Sequence, residues 1–287
     1  MPLYKSKTKQ DIKKNTKEEQ ADYYSCDLQP FIKWVGGKTQ SLDDLMNKFP
    51  KRIKGNYYET FVGGGSVFIK LIKQIIDKKI QLDGDIYVND INSNLINLYE
   101  FIKNEPTELL KKVKKYKTKY LHIEELADEP QYDDNGKKKR TDTKKFDNLS
   151  GKDIDTKEKY YYTKRNRYNS IKNNNNPQIK LERAALFVFL NKTCWRGVYR
   201  ENSKGEFNVP FGNYETMSMY NERQIQSLSH CFKNLDNEVH FHNEDFKEFN
   251  KKIKSKKDFV YMDPPYFPAT IKFKTVKVGI NCKGYKI

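Results

Sequence analysis

The chain has 287 residues, 36% of them hydrophobic, 14% aromatic and 32% charged, with a formal net charge of +17. That length admits one large domain or two modest ones, and no run of about 18 apolar residues offers a membrane span. Met1-Pro2-Leu3-Tyr4-Lys5 has no apolar signal core, so an intracellular protein is expected; the positive charge asks for a polyanionic partner, unless it is only a lysine-rich solvated surface.

Residues 1–28 are polar and charged and read as a disordered tail. Phe31-Ile-Lys-Trp-Val leads into Gly36-Gly37-Lys38 and a helical stretch to about Phe49. Tyr57 to Val62 has strand composition and runs into Gly63-Gly64-Gly65-Ser66, after which Val67 to Ile76 carries helical apolar spacing. Ile86 to Asp90 is a second strand, followed by a helix from about Asn94 to Lys103. Strand, glycine turn, helix, strand, acid, helix is a nucleotide-type α/β half. Residues 127–158, with Asp133-Asp-Asn-Gly136 and the loop charge Lys137–Arg140, read as a flexible insertion. Tyr160 to Asn169 and Leu181 to Leu190 are helical, separated by an Asn-rich loop from Lys172 to Pro177. Asn191 to Tyr214 is glycine-rich, basic and aromatic, a loop with short strands. Strands return at Val239–Phe241 and Asp258–Met262. The expected division is a sheet domain from 29–104 and 239–287 around an inserted region, 105–238.

The strand at Asp258–Met262 stops at Asp263-Pro264-Pro265-Tyr266. Each proline fixes its own φ and restricts its predecessor, giving a rigid corner at a strand's carboxyl end, where open α/β sheets place ligands. A carboxylate (Asp263), a carbonyl with no competing amide hydrogen (Pro264) and an aromatic face (Tyr266) suit a planar base with an exocyclic amino group. The alternative is an ordinary strand-to-loop exit. Glu59 and the turn Phe61–Gly65 offer close backbone approach and free helix amides. Asp90 ends the next strand, and Asp245-Phe246 follow Val239–Phe241. Two acids and a glycine turn at successive strand ends describe an adenosine pocket, or else plain caps and turns. Gly36-Gly37-Lys38-Thr39 is not a P-loop, because the first glycine of that motif would fall on Ile32. The scattered Cys26, Cys194, Cys231 and Cys282 suit reduced thiols, and His230, Cys231, His240 and His242 read as packing, with no metal expected.

Taken together, these motifs resemble the Dam-type (D12 class) adenine-specific DNA methyltransferases. The matching text is Phe31–Lys38, Phe61–Ser66, Val88–Asn92, Phe189–Arg200, Gly205–Gly212 and Asp263–Tyr266, six stretches in family order. The resemblance implies a Rossmann-like sheet that binds S-adenosyl-L-methionine (SAM), with an inserted helical target-recognition domain. It implies SAM contacts from Trp34, Lys38, Glu59, Phe61, Gly63, Gly65, Asp90, Asp245 and Phe246. It further implies that Asp263, Pro264, Pro265 and Tyr266 hold a flipped-out adenine during direct methyl transfer to its amino group. Trp195, Arg196, Val198, Arg200 and Pro210 would contact duplex DNA, Arg200 at a guanine edge. Many relatives carry an aromatic followed by asparagine where this chain has Trp195-Arg196. Such enzymes serve restriction–modification systems, which makes a cognate endonuclease a partner by implication. Only 21 residues follow Tyr266, and they lack the family's later motifs. A chain truncated after the Asp-Pro-Pro-Tyr motif, binding DNA without turnover, is therefore the second reading. An RNA-binding protein or RNA methyltransferase is a third.

Overall fold

The structure, a computed structural model, describes residues 28–37, 41–123, 156–214 and 222–265. In chain order its elements are α1 (Leu42–Asn47), β1 (Arg52–Ile53), β2 (Tyr57–Glu59), α2 (Ser66–Ile76), β3 (Gln81–Leu82), β4 (Ile86–Asn89) and α3 (Ser93–Asn104). Then follow α4 (Pro106–Leu121), α5 (Lys157–Ser170), α6 (Pro177–Thr193), a 3₁₀ turn (Trp195–Gly197), α7 (Glu222–Asn234), β5 (Val239–His242), α8 (Phe246–Asn250) and β6 (Phe259–Tyr261). The expected α/β class with a parallel, Rossmann-like sheet is what the chain adopts.

Four strands form a parallel sheet in the order β5-β4-β2-β6. Tyr57 pairs with both Ile86 and Phe259, and Ile86 with Val239, so the carboxyl ends of all four strands lie along one edge. The chain steps outward from β2 through β4 to β5, then returns to the other side of β2 as β6. That reversal opens a crevice at the carboxyl ends of β2 and β6. β1 and β3 form a separate two-stranded parallel ladder.

Register decides how each face is covered. Tyr58, Tyr87 and His240 are partners across the strands, and their rings stack at 4.9 Å and 4.5 Å, with Phe249 of α8 edge-on to Tyr58. The alternate residues Tyr57, Ile86, Val88 and Val239 point the other way and are fully buried. On that side Phe68 of α2 meets Tyr99 of α3, Phe232 of α7 and Phe241 of β5, at 5.6–6.0 Å between ring centres. α7 lies within the region expected as the insertion, yet it shares the sheet's core.

Four of the described helices begin where a side chain satisfies their first amides. Asn92, Thr156, Asn176 and Asp245 cap α3, α5, α6 and α8, and Pro106 and Pro177 occupy first positions that have no amide to lose. From Ala184 to Leu190 α6 is an unbroken apolar, buried run through the core, while its first turn is exposed and polar.

Several expectations need correction. α6 continues to Thr193, past the expected end at Leu190, because Thr193 Oγ1 donates back to the Phe189 carbonyl (2.8 Å) and Asn191 finds partners outside the helix. The segment beyond it, residues 194–214, forms no strand, only the single bridges Cys194–Phe211 and Glu201–Phe207. Leu28, placed in the tail by composition, is buried against the core. The rest of that tail and most of the expected insertion lie outside the described residues, though Lys157 and Glu158 at the insertion's end open α5.

Candidate functional site

Past Glu59, the backbone of β2 is tied to its neighbours one residue at a time. Thr60 N donates to the Tyr261 carbonyl of β6 (3.3 Å), Val62 N to the Asn89 carbonyl of β4 (2.9 Å), and Gly63 N to Asp90 Oδ2 (2.9 Å). Gly63 and Gly65 then adopt φ of +49° and +74°, the left-handed region open to glycine at little cost. Neither could carry a side chain. A Cβ on Gly63 would stand 2.9 Å from Trp34 Cδ1, and one on Gly65 would collide with the Tyr99 hydroxyl. Trp34 therefore lies directly against the turn.

Three carboxyl groups lie at the strand ends around it, and only that of Asp90 bonds the turn. Asp90 spends Oδ2 on Gly63 N and Oδ1 on Asn92 N (2.8 Å), so its first task is to hold the turn; burial raises its pKa, and those two bonds oppose the rise. A carboxylate has further lone pairs to offer a ligand. Glu59 is 2% exposed and accepts from Tyr57 Oη at 2.6 Å. Burial pushes its pKa up to about 8, against that hydrogen bond and with help from the fields of Asp263 and Asp90. Asp263 is half-buried two residues beyond β6, followed by exposed Pro264 and Pro265. Tyr266, and Lys38 on the cofactor side, lie outside the described residues.

Asp245 caps α8, its Oδ1 accepting from Lys247 N (2.9 Å), and this sets Phe246 with its ring centre 5.8 Å from that of Phe61. Phe246 is 42% exposed, with Lys247 Nζ 5.9 Å from its ring centre. Two asparagines that sequence reading passed over clamp these loops together. Asn89 donates to the Thr60 and Glu244 carbonyls (3.1 Å each) and accepts from Glu244 N (2.9 Å), while Asn243 donates to the Asp90 and Ile91 carbonyls. An Asn closing an otherwise apolar strand is the signal that could have pointed to Asn89, since a buried amide must find partners.

This crevice combines backbone amides, converging carboxyl groups and aromatic walls. It fits a ligand that carries positive charge and a flat ring, and the glycines at 63 and 65 let Trp34 and Tyr99 close on the turn. Among the described residues, no three His, Cys, Asp or Glu side chains gather as a metal ion would need.

The second group of expected residues lies on the segment after α6. Asn191, buried, uses its whole amide: Oδ1 accepts from Lys33 N (2.9 Å), and Nδ2 donates to the carbonyls of Lys33 (2.8 Å) and Gly197 (3.1 Å). Trp34 next to Lys33 stacks on Tyr199, ring centres 5.1 Å apart, so the glycine turn and the segment 195–212 share one aromatic contact. The segment folds back on itself, with Asn208 N donating to the Arg200 carbonyl (3.1 Å), and α5 holds its return limb. Asn169 bonds both ways with Phe207 (2.9 and 3.1 Å), and Tyr161 and Arg165 donate to the Val209 carbonyl (2.8 and 3.1 Å).

Trp195, Arg196, Arg200 and Pro210 come out exposed and Val198 half-buried. Arg196 has φ +56° and lays its guanidinium 4.5 Å from the centre of the Trp195 ring. Arg200 is not simply an extended arm, because its Nε donates to Asn208 Oδ1 (2.8 Å). Lys192, not anticipated from sequence, is pushed down to about 8, by burial first and by the Lys33 cation second.

A family model of the D12 class N6 adenine-specific DNA methyltransferases matches residues 34–282. Among relatives, the type II methyltransferase M.MjaIII of Methanocaldococcus jannaschii is 32% identical over 246 residues, covering 84% of this chain and 70% of the relative. The type II methyltransferase M1.LlaDCHI of Lactococcus lactis subsp. cremoris is 29% identical over 243 residues, covering 85% and 67%. A DNA adenine methylase of Haemophilus influenzae is 29% identical over 239 residues, covering 83% and 64%.

Proposed function

This chain belongs to the D12 class of N6 adenine-specific DNA methyltransferases, and from that premise we propose that it methylates the amino group of adenine in a short duplex site with SAM as donor. The observation that supports this reading is the glycine turn at the strand reversal, bonded to Asp90 and flanked by Glu59 at the end of β2 and Asp263 beyond β6.

SAM, when bound, supplies its methyl group as an electrophilic carbon on a sulfonium. The residues of the crevice match that cargo. Glu59, ionised by a cationic neighbour, would balance positive charge, Asp90 would take the ribose hydroxyls, and the Gly63–Gly65 turn would admit the chain of the amino acid. Phe61 and Phe246, with Asp245, would enclose the adenine ring of the cofactor, and Trp34 and Lys38 would border the pocket.

The target base lies across β2 from this pocket, at Asp263. Its amino group is out of reach within a duplex, so the nucleotide must be extruded, at a cost of about a few kcal/mol. Asp263 and the Pro264 carbonyl would accept the two amino hydrogens, Pro265 fixing the corner, while Tyr266 stacks on the ring. That arrangement turns the nitrogen lone pair toward the methyl donor and stabilises the positive charge that grows on the amino group as the bond forms. Holding both reactants on one rigid sheet edge removes the entropic barrier of a bimolecular encounter. The segment Trp195–Pro210 would meanwhile read the flanking bases, Arg200 at a guanine edge, with Val198 and Pro210 making apolar contacts. In this division the sheet half binds the donor and the region 105–238 reads DNA.

The test is to express the chain in a host devoid of adenine methylation and to quantify N6-methyladenine in its DNA by nucleoside mass spectrometry. Methyladenine in a defined sequence context is the expected result. Its absence, with purified protein still binding duplex DNA, would replace this reading with a binding protein that does not turn over.

A further inference from the structure

Helices α4 and α5 share a groove that the proposed chemistry leaves unused. Along α4, Lys112, Lys115 and Lys119 recur at helical spacing around Tyr116, which places them on one side of the helix. From α5, Lys164 Nζ lies 4.9 Å from the ring centre of Tyr160 and 5.5 Å from that of Tyr116. Lys119 Nζ stands 5.8 Å from the same Tyr160 ring. Arg167, nearly one turn on, is held to Glu182 of α6 through a two-pronged pair (2.9 and 2.8 Å). Burial lowers the pKa of Lys164 first, and the fields of Lys119, Lys115 and Arg167 add to that, with Glu182 opposing them. Lys112 and Lys164 also act on Glu182, so the five cations form one cluster around one acid. Like charge gathered on one face raises the folded chain's own electrostatic energy, and a polyanion laid across it reverses that term while releasing counterions.

We propose that this groove, lined by Lys112, Lys115, Lys119, Lys164 and Arg167 around Tyr116 and Tyr160, binds the phosphate backbone of duplex DNA beyond the bases that are read. The proposal rests on the methyltransferase reading above. Duplex DNA, and not another polyanion, follows from placement. α5 is the helix whose Tyr161, Arg165 and Asn169 hold the segment 195–212, and Lys164 immediately precedes Arg165. α4 reaches the same segment at its far end, where Tyr120 packs 6.5 Å from Phe211. A duplex engaged by Trp195–Pro210 has its flanking phosphates carried toward the groove, whose cations would position it without reading sequence.

The experiment measures affinity for a duplex of about 24 base pairs by fluorescence anisotropy between about 0.05 and 0.2 M salt. It compares the wild type, the triple variant Lys112→Gln/Lys115→Gln/Lys119→Gln, the single variant Lys164→Gln, and a control triple Lys48→Gln/Lys51→Gln/Lys54→Gln in the stretch leading into β2. Each lost phosphate contact should flatten the log–log salt slope by about 0.9, so the groove triple should be shallower by about 2–3 and its deficit should shrink about 40-fold across that range. Lys164→Gln should flatten it by about one, and the control should leave it unchanged. An unchanged slope in a folded groove triple, or an equal change in the control, overturns the proposal. So does a deficit seen only with single-stranded RNA or anionic vesicles. A wild type without any duplex affinity would sink the methyltransferase reading itself, and this surface with it.

Discussion

The crevice at the strand ends and the segment 195–212 are both built around glycine and asparagine, yet they are held in opposite ways. The crevice is set from inside. Its turn is bonded to adjacent strands of one sheet, and Gly63, Asp90, Asn89 and Thr60 satisfy one another with little freedom left. The segment 195–212 is set from outside, by side chains of α5 and by Asn191, while Trp195, Arg196, Arg200 and Pro210 stay exposed. Chemistry that tolerates little displacement sits on the first kind of framework. If the segment reads bases as proposed, a surface held this way can change exposed residues such as Trp195 and Arg196 while its anchors stay.

Substitutions should expose that difference, the largest at the crevice. Asp263→Ala is expected to reduce methyl transfer by at least about 10²–10³-fold, with SAM affinity largely intact by calorimetry; loss of SAM binding would overturn the division between Glu59 and Asp263. Gly65→Ala must accept both φ +74° and a collision with Tyr99, and should cost about 2–4 kcal/mol in urea unfolding. Gly205→Ala, in the segment with φ +67° but only Lys172 Nζ at 3.7 Å, should cost about 1–2 kcal/mol from backbone strain alone. Equal losses at the two glycines would mean that the packing around Gly65 is not what fixes the turn.

Arg200→Ala should relax preference at one base position by about 1–3 kcal/mol, read from methylation rates across a panel of single-base variants of the site. A uniform fall across the panel would reassign Arg200 to phosphate contact.

The smallest effect is one of pH. Glu59 has its folded pKa raised to about 8 by burial, so the stability it contributes is present at low pH and lost as the pH rises through about 8. A cationic donor binds its ionised form, and affinity for SAM should therefore fall by up to about tenfold per pH unit below 8, with protons released on binding. Glu59→Gln should flatten the profile. A flat wild-type profile by calorimetry in two buffers would remove Glu59 from the charge balance.

Much of the sheet half is legible in the sequence because its signals are local. Tyr57–Val62 and Ile86–Asp90 have strand composition, three consecutive glycines mark the turn, and Val67–Ile76 keeps helical spacing. What could not be read is what joins distant parts. Asn191 bonds to Lys33 across 158 positions and Asn89 to Glu244 across 155, pairings that leave no periodic trace. α4 is hidden in the sequence because its many lysines mask the apolar stripe of Leu109, Leu110, Val113 and Tyr120. The resemblance marks Arg200 as a base reader, but its bond to Asn208 depends on a fold-back that no spacing announces.

The central claim is that one rigid strand edge brings a methyl donor and an adenine together. It is tested most directly by incubating the purified chain with SAM labelled in its methyl group and unmethylated duplex DNA, then separating the nucleosides. Label on the amino group of adenine, lost in Asp263→Ala while SAM still binds, is the predicted result. Bound SAM and bound DNA without any labelled adenine would contradict the account.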